Sequence, residues 1–325
     1  MQAALMKSAW QDRARHWPLS ANAQVVGAPS WHGHFVPREG ATMKAFPEDA
    51  VWFVTGSSSG LGREIARLAL TRGWRVVLAA REPSALAGLA SQYPDTAMTV
   101  RLDVTEPVSI VAAVEAAEAK FGRIDVLVNA AGYGYLAAIE EGEEHAIRAQ
   151  FETNVFGLLA VTRAVLPGMR ARRSGHIVNF SSLGGLVAFA ATGYYHATKF
   201  AVEALSESLS HEVGPLGIGV MIVEPGAFRT EWAGRSMIAS DTVIDDYAAT
   251  AGKRREMTKA VSGNQPGDPA KGAAAVIAAL ESDSPPLRLL LGKSALDVAL
   301  KRLDALRMNF EAWRDVSEGT DFPMA

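Results

Sequence analysis

The chain has 325 residues, of which 49% are hydrophobic and 21% charged, and its formal net charge is −3. This balance is typical of a globular protein with one large domain or two small ones, and it favours neither a nucleic acid nor an anionic membrane as partner. The absence of cysteine excludes disulfides, thiolate metal sites and a cysteine nucleophile, and no apolar run approaches the roughly 20 residues that span a bilayer.

The first 42 residues differ from the rest of the chain. They show no sustained period of 2 or 3.6, and they lack the continuous apolar stretch of a secretory signal. We expect residues 1–42 to form a disordered or loosely attached leader, with Met43 as an alternative start. A metal site in "WHGH" (Trp31–His34) would need more ligands than this segment supplies.

From Val51 onward, short apolar runs alternate with helical patterns. The predicted strands are "VWFVTG", "RVVLAA", "MTVRLDV", "IDVLVNAAG", "HIVNFSS", "IGVMIVEPG" and "LRLLLG", and predicted helices include residues 107–121, 143–172 and 268–282. Unbroken βαβ repetition with fully apolar strands predicts an α/β fold. It would be a Rossmann-type doubly wound parallel sheet of about seven strands with helices on both faces, a single domain over residues 43–325. Such a sheet binds ligands beyond the carboxyl ends of its strands.

The segment "TGSSSGLG" joins the first strand to the first helix. Gly56 permits a tight turn, Gly60 lets the backbone approach a pyrophosphate, and Gly62 allows the helix to pack closely on the strand. The new helix also directs free N–H groups and its positive dipole end at the phosphates. This context predicts a dinucleotide site rather than a merely flexible turn.

The end of the second strand, "VVLAAREP", distinguishes the two common dinucleotides. NAD sites place an acidic residue there for the ribose hydroxyls, whereas this chain has Ala80 followed by Arg81. Because an arginine can bind a 2′-phosphate, we expect NADP(H), with NAD(H) as the possible alternative and a solvated surface arginine as the plainer interpretation. Asp103, at the end of the third strand, either meets the adenine or opens a turn.

The segment "GYYHATKF" (193–200) holds two tyrosines and a lysine. In a helix, residues four apart share a face, so Tyr195 can meet Lys199 while Tyr194 points elsewhere. A free tyrosine, with a pKa of about 10, is a poor base at neutral pH, and an adjacent ammonium lowers that pKa. We therefore predict that Tyr195 is the acid/base of a proton transfer.

A stretch without clear periodicity, about residues 228–264, follows the sixth strand. Its length and position predict a substrate lid, and its apolar side chains suggest a hydrophobic or aromatic substrate. These side chains are Phe228, Trp232, Met237, Ile238 and Tyr247, with Tyr133 and Tyr135 as further candidates for the pocket. They could equally pack the loop onto the protein. A C-terminal helical tail is expected over about 293–325.

Between about Val51 and Leu291 the chain resembles the main branch of the short-chain dehydrogenases/reductases. The motifs, in the order of that family, are "TGSSSGLG", "LDV", "NAAG" (129–132), "FETNVFG" with Asn154, "IVNFSS" (177–182), "YHATK" (195–199) and "EPGAFRT" (224–230). The segments "NAAGYGYLAAIEE" and "RAVLPGMRARRSGHIVNFSS" look most like the 17β-hydroxysteroid or retinol dehydrogenase-like branch.

The resemblance implies a role for each matching residue. Ser182 would polarise the substrate oxygen, with Ser181 as the structural alternative, and Lys199 would also bind the nicotinamide ribose. Asn154 would hold a water in a proton relay, or simply bend its helix. The implied cofactor-binding set is Gly56, Ser57, Ser58, Gly60, Leu61, Gly62, Arg81, Asp103, Val104, Asn129, Ala130, Gly132, Tyr195, Lys199, Pro225, Gly226 and Thr230. Within it, Thr230 would bond the nicotinamide carboxamide and Asn129 would mainly tie strands together.

We thus expect an NADP(H)-dependent oxidoreductase that interconverts a carbonyl and a secondary alcohol on an apolar or aromatic small molecule. The alternatives are a non-catalytic NADPH sensor, a structural subunit, or an NAD-dependent alcohol dehydrogenase. A sensor would be free to lose Ser182, Tyr195 or Lys199, and all three are present. A cytoplasmic homo-dimer or homo-tetramer is expected, without nucleic acid, membrane or metal.

Overall fold

The computed structural model describes residues 46–234 and 236–322, so the predicted leader, residues 1–42, and Met43 lie outside the described residues. Of the described residues, those from 46 to 307 belong to one compact unit, and those from 308 onward belong to a second. In the second unit Arg314 pairs with Glu311 at 2.7 Å and with Glu318 at 3.0 Å. No helix in the described part of the chain combines the length and apolarity needed to cross a bilayer.

Seven parallel strands form the main sheet, in the order β3–β2–β1–β4–β6–β7–β9. The strands are β1 Val51–Thr55, β2 Arg75–Ala80, β3 Ala97–Arg101, β4 Val126–Asn129, β6 Gly175–Phe180, β7 Ile218–Pro225 and β9 Arg288–Leu291. The strand order changes direction between β1 and β4, where a doubly wound sheet opens a crevice. The predicted α/β parallel sheet of about seven strands is confirmed.

The α-helices are α1 Gly60–Thr71, α2 Ala87–Ala90, α3 Pro107–Phe121, α4 Glu144–Phe151, α5 Leu158–Arg172, α6 Gly193–Val213, α7 Lys253–Ala260, α8 Pro269–Leu280, α9 Lys293–Ala312 and α10 Arg314–Glu318. Successive side chains of a strand point to opposite sides of the sheet, so the apolar inner strands give it two apolar faces. Helices cover both of these faces. Trp52 and Val54 enter a core with α1 and α8, whereas Val51 and Phe53 enter a second core with α3 and α5.

Two segments differ from the sequence expectations. The predicted helix over 143–172 contains a π-helical turn, Glu152–Gly157, between α4 and α5. The stretch 228–264 is more regular than its missing periodicity indicated, since it holds α7, a π-helical turn at Ala248–Gly252 and a short strand, β8 Met237–Ala239. This strand pairs in parallel with β5 Gly134–Leu136. The pairing joins segments far apart in sequence, so no local pattern predicts it. We call residues 228–264 the lid, after the role that the sequence analysis predicts for them.

Candidate active site

Tyr195 and Lys199 lie one turn apart on α6, and each is only 6% exposed. The neighbouring Tyr194 points elsewhere, as its hydroxyl donates a hydrogen bond to the carbonyl oxygen of Ile139 at 2.6 Å. The helix geometry that the sequence predicts therefore brings Tyr195, rather than Tyr194, to the buried face with Lys199.

Ser181 and Ser182 follow β6 and occupy different positions. The Ser182 hydroxyl lies beside the Tyr195 hydroxyl, close enough to lower the pKa of that tyrosine. The Ser182 oxygen also accepts the N–H of Gly184 at 3.0 Å, which fixes the turn. Ser181 is buried, and its hydroxyl lies 3.5 Å from the carbonyl oxygen of Lys199. The structure thus brings Ser182, and not Ser181, to the tyrosine hydroxyl.

Burial dominates the ionisation of both α6 groups. It raises the pKa of Tyr195 to about 12, and the hydrogen bond with Ser182 acts against this rise. Burial lowers the pKa of Lys199 to about 8. The Lys199 ammonium donates a hydrogen bond to the carbonyl oxygen of Phe180 at 2.7 Å and lies 5.7 Å from the Tyr195 ring centroid. That Lys199 lowers the pKa of Tyr195 stays a prediction for the site with its ligands bound.

Asn154 lies in the π-helical turn and is 1% exposed. Its oxygen accepts the N–H of Tyr133 at 3.0 Å, and its nitrogen donates to the carbonyl oxygen of Tyr133 at 2.9 Å and to Thr198 Oγ1 at 3.1 Å. The side chain therefore connects the segment after β4 to α6 within one residue of Lys199. Its place in a proton relay stays a prediction.

The glycine loop between β1 and α1 has the shape that a dinucleotide needs. Gly56 has a φ of +66°, and a Cβ there would lie 2.9 Å from the carbonyl oxygen of Ala130. A Cβ at Gly62 would lie 2.9 Å from the carbonyl oxygen of Gly56, whereas Gly60, at a φ of +60°, faces open space apart from the Thr230 side chain. The loop is thus closed toward the protein and open at Gly60, in front of the α1 N-terminus, which fits a pyrophosphate.

The other predicted cofactor residues surround this loop, and several have clear structural partners. The Ser57 hydroxyl donates to the Ala79 carbonyl at 3.1 Å. Asn129 donates to Thr162 and Asn179, both at 2.9 Å, so it ties β4 to β6 and α5 as expected. Of the remaining predicted cofactor residues, Val104 is buried, and four are half-buried or exposed: Ser58, Leu61, Ala130 and Gly132.

Residues after the ends of β2 and β3 carry charges on the β1 side of the crevice. Arg81, just after β2, is exposed. The Asp103 carboxylate accepts the N–H and hydroxyl of Thr105 at 2.9 and 2.7 Å, which is the turn-opening alternative. Burial alone would raise the pKa of Asp103, but the Thr105 hydrogen bonds and the charges of Arg81 and Arg101 hold it below its usual value. Arg81 and Asp103 therefore lie near one another.

The predicted nicotinamide segment follows β7. Pro225 ends the strand, and the Gly226 N–H donates to the carbonyl oxygen of Leu291 at 2.9 Å. The Thr230 hydroxyl accepts the N–H of Trp232 at 3.3 Å. Thr230 also lies next to Gly60, so the structure brings this segment to the glycine loop.

Among the apolar side chains of the lid, Trp232 contacts Tyr195. Its ring centroid lies 5.2 Å from that of Tyr195. Phe228 instead packs against the core, and Ile238 is 50% exposed. Tyr135, a candidate pocket residue, is 1% exposed and hydrogen-bonds with Glu143, so it supports the lid rather than lining an open pocket.

Two acidic residues that the sequence analysis did not single out hold the lid. The side chain of Glu141 is fully buried, pairs with Arg255 of the lid, and accepts the N–H of Ile244 at 3.0 Å. Glu143 accepts the hydroxyl of Ser240 at 2.6 Å. We call Glu141 and Arg255, with the Ile244 N–H, the lid latch. In "IEEGEEH" these acids are surrounded by like charges, so sequence alone does not distinguish them from a solvated face.

Comparisons with known proteins agree with this geometry. The family model described as short chain dehydrogenase matches residues 50–239. The protein "Oxidoreductase BOA17" of Botryotinia fuckeliana is 41% identical over 268 residues, which cover 82% of this chain and 97% of that protein. A "3-ketodihydrosphingosine reductase" of Bacteroides thetaiotaomicron is 39% identical, covering 60% of this chain and 70% of that protein. A solved short-chain dehydrogenase of Streptomyces avermitilis is 46% identical, with a TM-score of 0.80, over 84% of this chain and 100% of that chain.

Proposed function

The chain belongs to the short-chain dehydrogenase/reductase family, and on that premise we propose that it interconverts a carbonyl and a secondary alcohol with NADP(H). Membership makes it an NAD(P)-dependent oxidoreductase; the NADP preference, the substrate and the residue roles are the proposal. The observation that carries it is that Ser182, Tyr195 and Lys199 lie close together. Ser182 follows the carboxyl end of β6, in the same parallel sheet whose strand β1 leads into the glycine loop.

In the reducing direction the Tyr195 hydroxyl donates a proton to the substrate oxygen, which Ser182 holds by a hydrogen bond. The nicotinamide, when bound, supplies the hydride that the carbonyl carbon accepts. The charged Lys199 stabilises the phenolate left on Tyr195 and binds the ribose, and Asn154 supports the return of a proton from solvent.

We propose that the substrate is an apolar or aromatic carbonyl compound or secondary alcohol. The Trp232 ring beside Tyr195 supports this, because an aromatic face favours apolar ligands. The name of the Bacteroides relative, a ketone reductase, supports the carbonyl chemistry. The test is NADPH oxidation with a panel of aryl and long-chain aliphatic ketones. Turnover of short polar ketones alone would contradict the substrate class.

Arg81 carries the proposed preference for NADP(H). Replacing it with Ala is expected to weaken NADPH binding about tenfold or more, since charge-assisted bonds to the 2′-phosphate are lost, while NADH binding stays unchanged. Nicotinamide fluorescence titrations measure both. Arg101→Ala is the matched control, because Arg101 is also exposed and near Asp103 but pairs with Glu106 at 3.0 Å. Equal NADH binding by the wild type would move the enzyme to the NAD-dependent class.

Gly60 tests the proposed phosphate contact separately from backbone strain. Gly60→Ala is expected to raise the dissociation constant for NADPH about tenfold or more, because the methyl group occupies the space in front of α1. Gly73→Ala is the control: it has a φ of +84° and nothing within 4 Å of its Cβ position, yet lies outside the site. Both changes should cost about 1 kcal/mol of unfolding free energy from left-handed backbone strain. Unchanged binding in Gly60→Ala would contradict the loop assignment.

We also propose that the protein acts in the cytoplasm as a homo-dimer or homo-tetramer. Exposed aromatic side chains support self-association: Phe156 is 54% exposed beside α5, and Phe200 is 45% exposed on α6. Light scattering measures the subunit number, and a monomer at micromolar concentration would contradict this part of the proposal.

A further inference from the structure

A second group of charges includes a residue one helical turn after Lys199. Glu203 stands one turn after Lys199 on α6, Glu224 lies near the end of β7, and Arg288 begins β9. Glu224 is fully buried and Glu203 is 6% exposed. The proposed proton transfer uses none of these three side chains.

One guanidinium in this group faces three carboxyl groups. Arg288 Nε lies 3.0 Å from Glu203 and 3.7 Å from Glu224, and its Nη2 atom lies 2.7 Å from Glu207. Glu207 is half exposed, whereas the other two acids are buried. Two ionised carboxylates in one buried site repel each other strongly, so one of them takes up a proton.

The unpaired oxygen atoms of the two acids point to the place of that proton. Glu203 Oε1 and both carboxyl oxygens of Glu224 are buried and have no hydrogen-bond partner among the described residues. A proton on Glu224 lets the two side chains bond to each other. Burial, together with the charge of Glu203, raises the pKa of Glu224 to about 8. Glu203, which has the shorter contact with Arg288, keeps the negative charge.

The Glu203 charge acts on the proposed site. Burial lowers the pKa of Lys199 to about 8, and Glu203 works against that decrease. A Cβ at Gly185 would clash with Ser181 Oγ and lie 2.9 Å from Glu203 Cγ, so the Glu203 side chain also lies against the turn that follows β6.

We propose that Glu203 and Glu224 share one proton, and that the negative charge kept on Glu203 holds Lys199 in its charged form. Glu203 is thus a positioning residue that acts through Lys199. The charged groups that face the pair are Lys199 and Glu207 from α6 and Arg288 from β9. The effect on turnover rests on the proposed function; the shared proton does not.

Infrared spectroscopy of the wild-type protein at neutral pH tests the shared proton. The carbonyl stretch of an un-ionised carboxylic acid should be present and should disappear as the pH rises past about 8. The band should be absent in Glu224→Gln, which mimics the neutral form, and retained in Glu207→Gln. No such band in the wild type would overturn the proposal, whether or not any variant folds.

Unfolding free energy gives a second readout with a defined sign. The pKa of Glu224 in the folded protein, about 8, lies above the ordinary value of 4.5. Its contribution to stability is therefore complete below the unfolded pKa and is lost as the pH rises through the folded one. Urea unfolding should show the wild type losing stability relative to Glu224→Gln across this window, and parallel curves would overturn the assignment.

The link to Lys199 is tested by NMR of protein with 13C-labelled lysine side chains, with Lys199 assigned from the Lys199→Arg spectrum. Glu203→Gln should lower the pKa of Lys199 by roughly one unit, while Glu207→Gln should leave it unchanged and Glu203→Asp should restore it. The same shift in both Gln variants, or in neither, would overturn the link. These measurements do not depend on turnover, so they test the link between Glu203 and Lys199 even if the protein is inactive as a reductase. In an active one, the upper pH limit of ketone reduction should fall with Glu203→Gln.

Discussion

Replacing Tyr195 by Phe is expected to lower the turnover number for ketone reduction by about a thousandfold, because the proton donor is lost. The ring remains, so its packing against Trp232, with centroids 5.2 Å apart, is retained. NADPH binding should change by less than about threefold, since Lys199 and the glycine loop are untouched. Steady-state kinetics together with fluorescence titration separate the two effects.

Tyr194→Phe is the matched control for this prediction. Its hydroxyl bonds to Ile139 rather than to the site, so the variant should keep its activity and lose about 1 kcal/mol of unfolding free energy. Comparable losses of turnover in both variants would mean that the effect comes from the stability of the helix. Retained activity in Tyr195→Phe would remove the proposed acid/base.

Neutralising the lid latch is expected to have the largest effect on stability. Glu141→Gln should destabilise the docked lid by about 3 kcal/mol, because Arg255 is left as a buried charge without its partner. The carboxylate now accepts two backbone N–H groups, those of Ala138 at 2.8 Å and Ile244 at 3.0 Å, and a glutamine keeps only one acceptor oxygen for them, which adds to this cost. Hydrogen exchange and limited proteolysis of residues 228–264 measure the opening.

Glu140→Gln controls for this change on the same segment. Glu140 is exposed and accepts a hydrogen bond from the Tyr247 hydroxyl at 2.6 Å, so its neutralisation should leave lid protection nearly unchanged. If the lid is as well protected from hydrogen exchange and proteolysis in Glu141→Gln as in the wild type, the lid latch does not hold it. Arg255→Met should reproduce the loss, since it leaves Glu141 as the unpaired charge.

Much of the fold and of the site could be predicted from the sequence, because apolar runs, turn residues and helical spacing indicate the same structure. The inner strands β1, β2 and β4 are apolar runs flanked by turn residues, as burial on both faces requires. The pairing of Tyr195 with Lys199 depends only on helical periodicity, which tertiary packing does not alter. The family resemblance indicates Ser182 rather than Ser181, and the position of Ser182 beside the Tyr195 hydroxyl agrees with that assignment.

The rest depends on contacts between distant segments. The strands β5 and β8 have three residues each, too short for a period, and they exist because they pair. The lid latch joins residues more than a hundred positions apart. Glu224 did leave a signal, since an acid inside "MIVEPG" interrupts an otherwise apolar strand. Arg288 left a similar signal inside "LRLLLG", whereas Glu203 gave none, because it occurs in an ordinary helical pattern.

The position of Arg288 has a consequence for biosynthesis. It opens β9, the last strand of the main sheet, which pairs with β7 at the sheet edge. On the ribosome, Glu203 and Glu224 emerge well before the cation that faces them. A nascent chain can assemble the first six strands of the main sheet, yet these two acids lack their counter-charge until β9 arrives. A polypeptide released before residue 288 therefore lacks the guanidinium that faces Glu203 and Glu224. Cellular proteases would remove it, because its folded state is less stable.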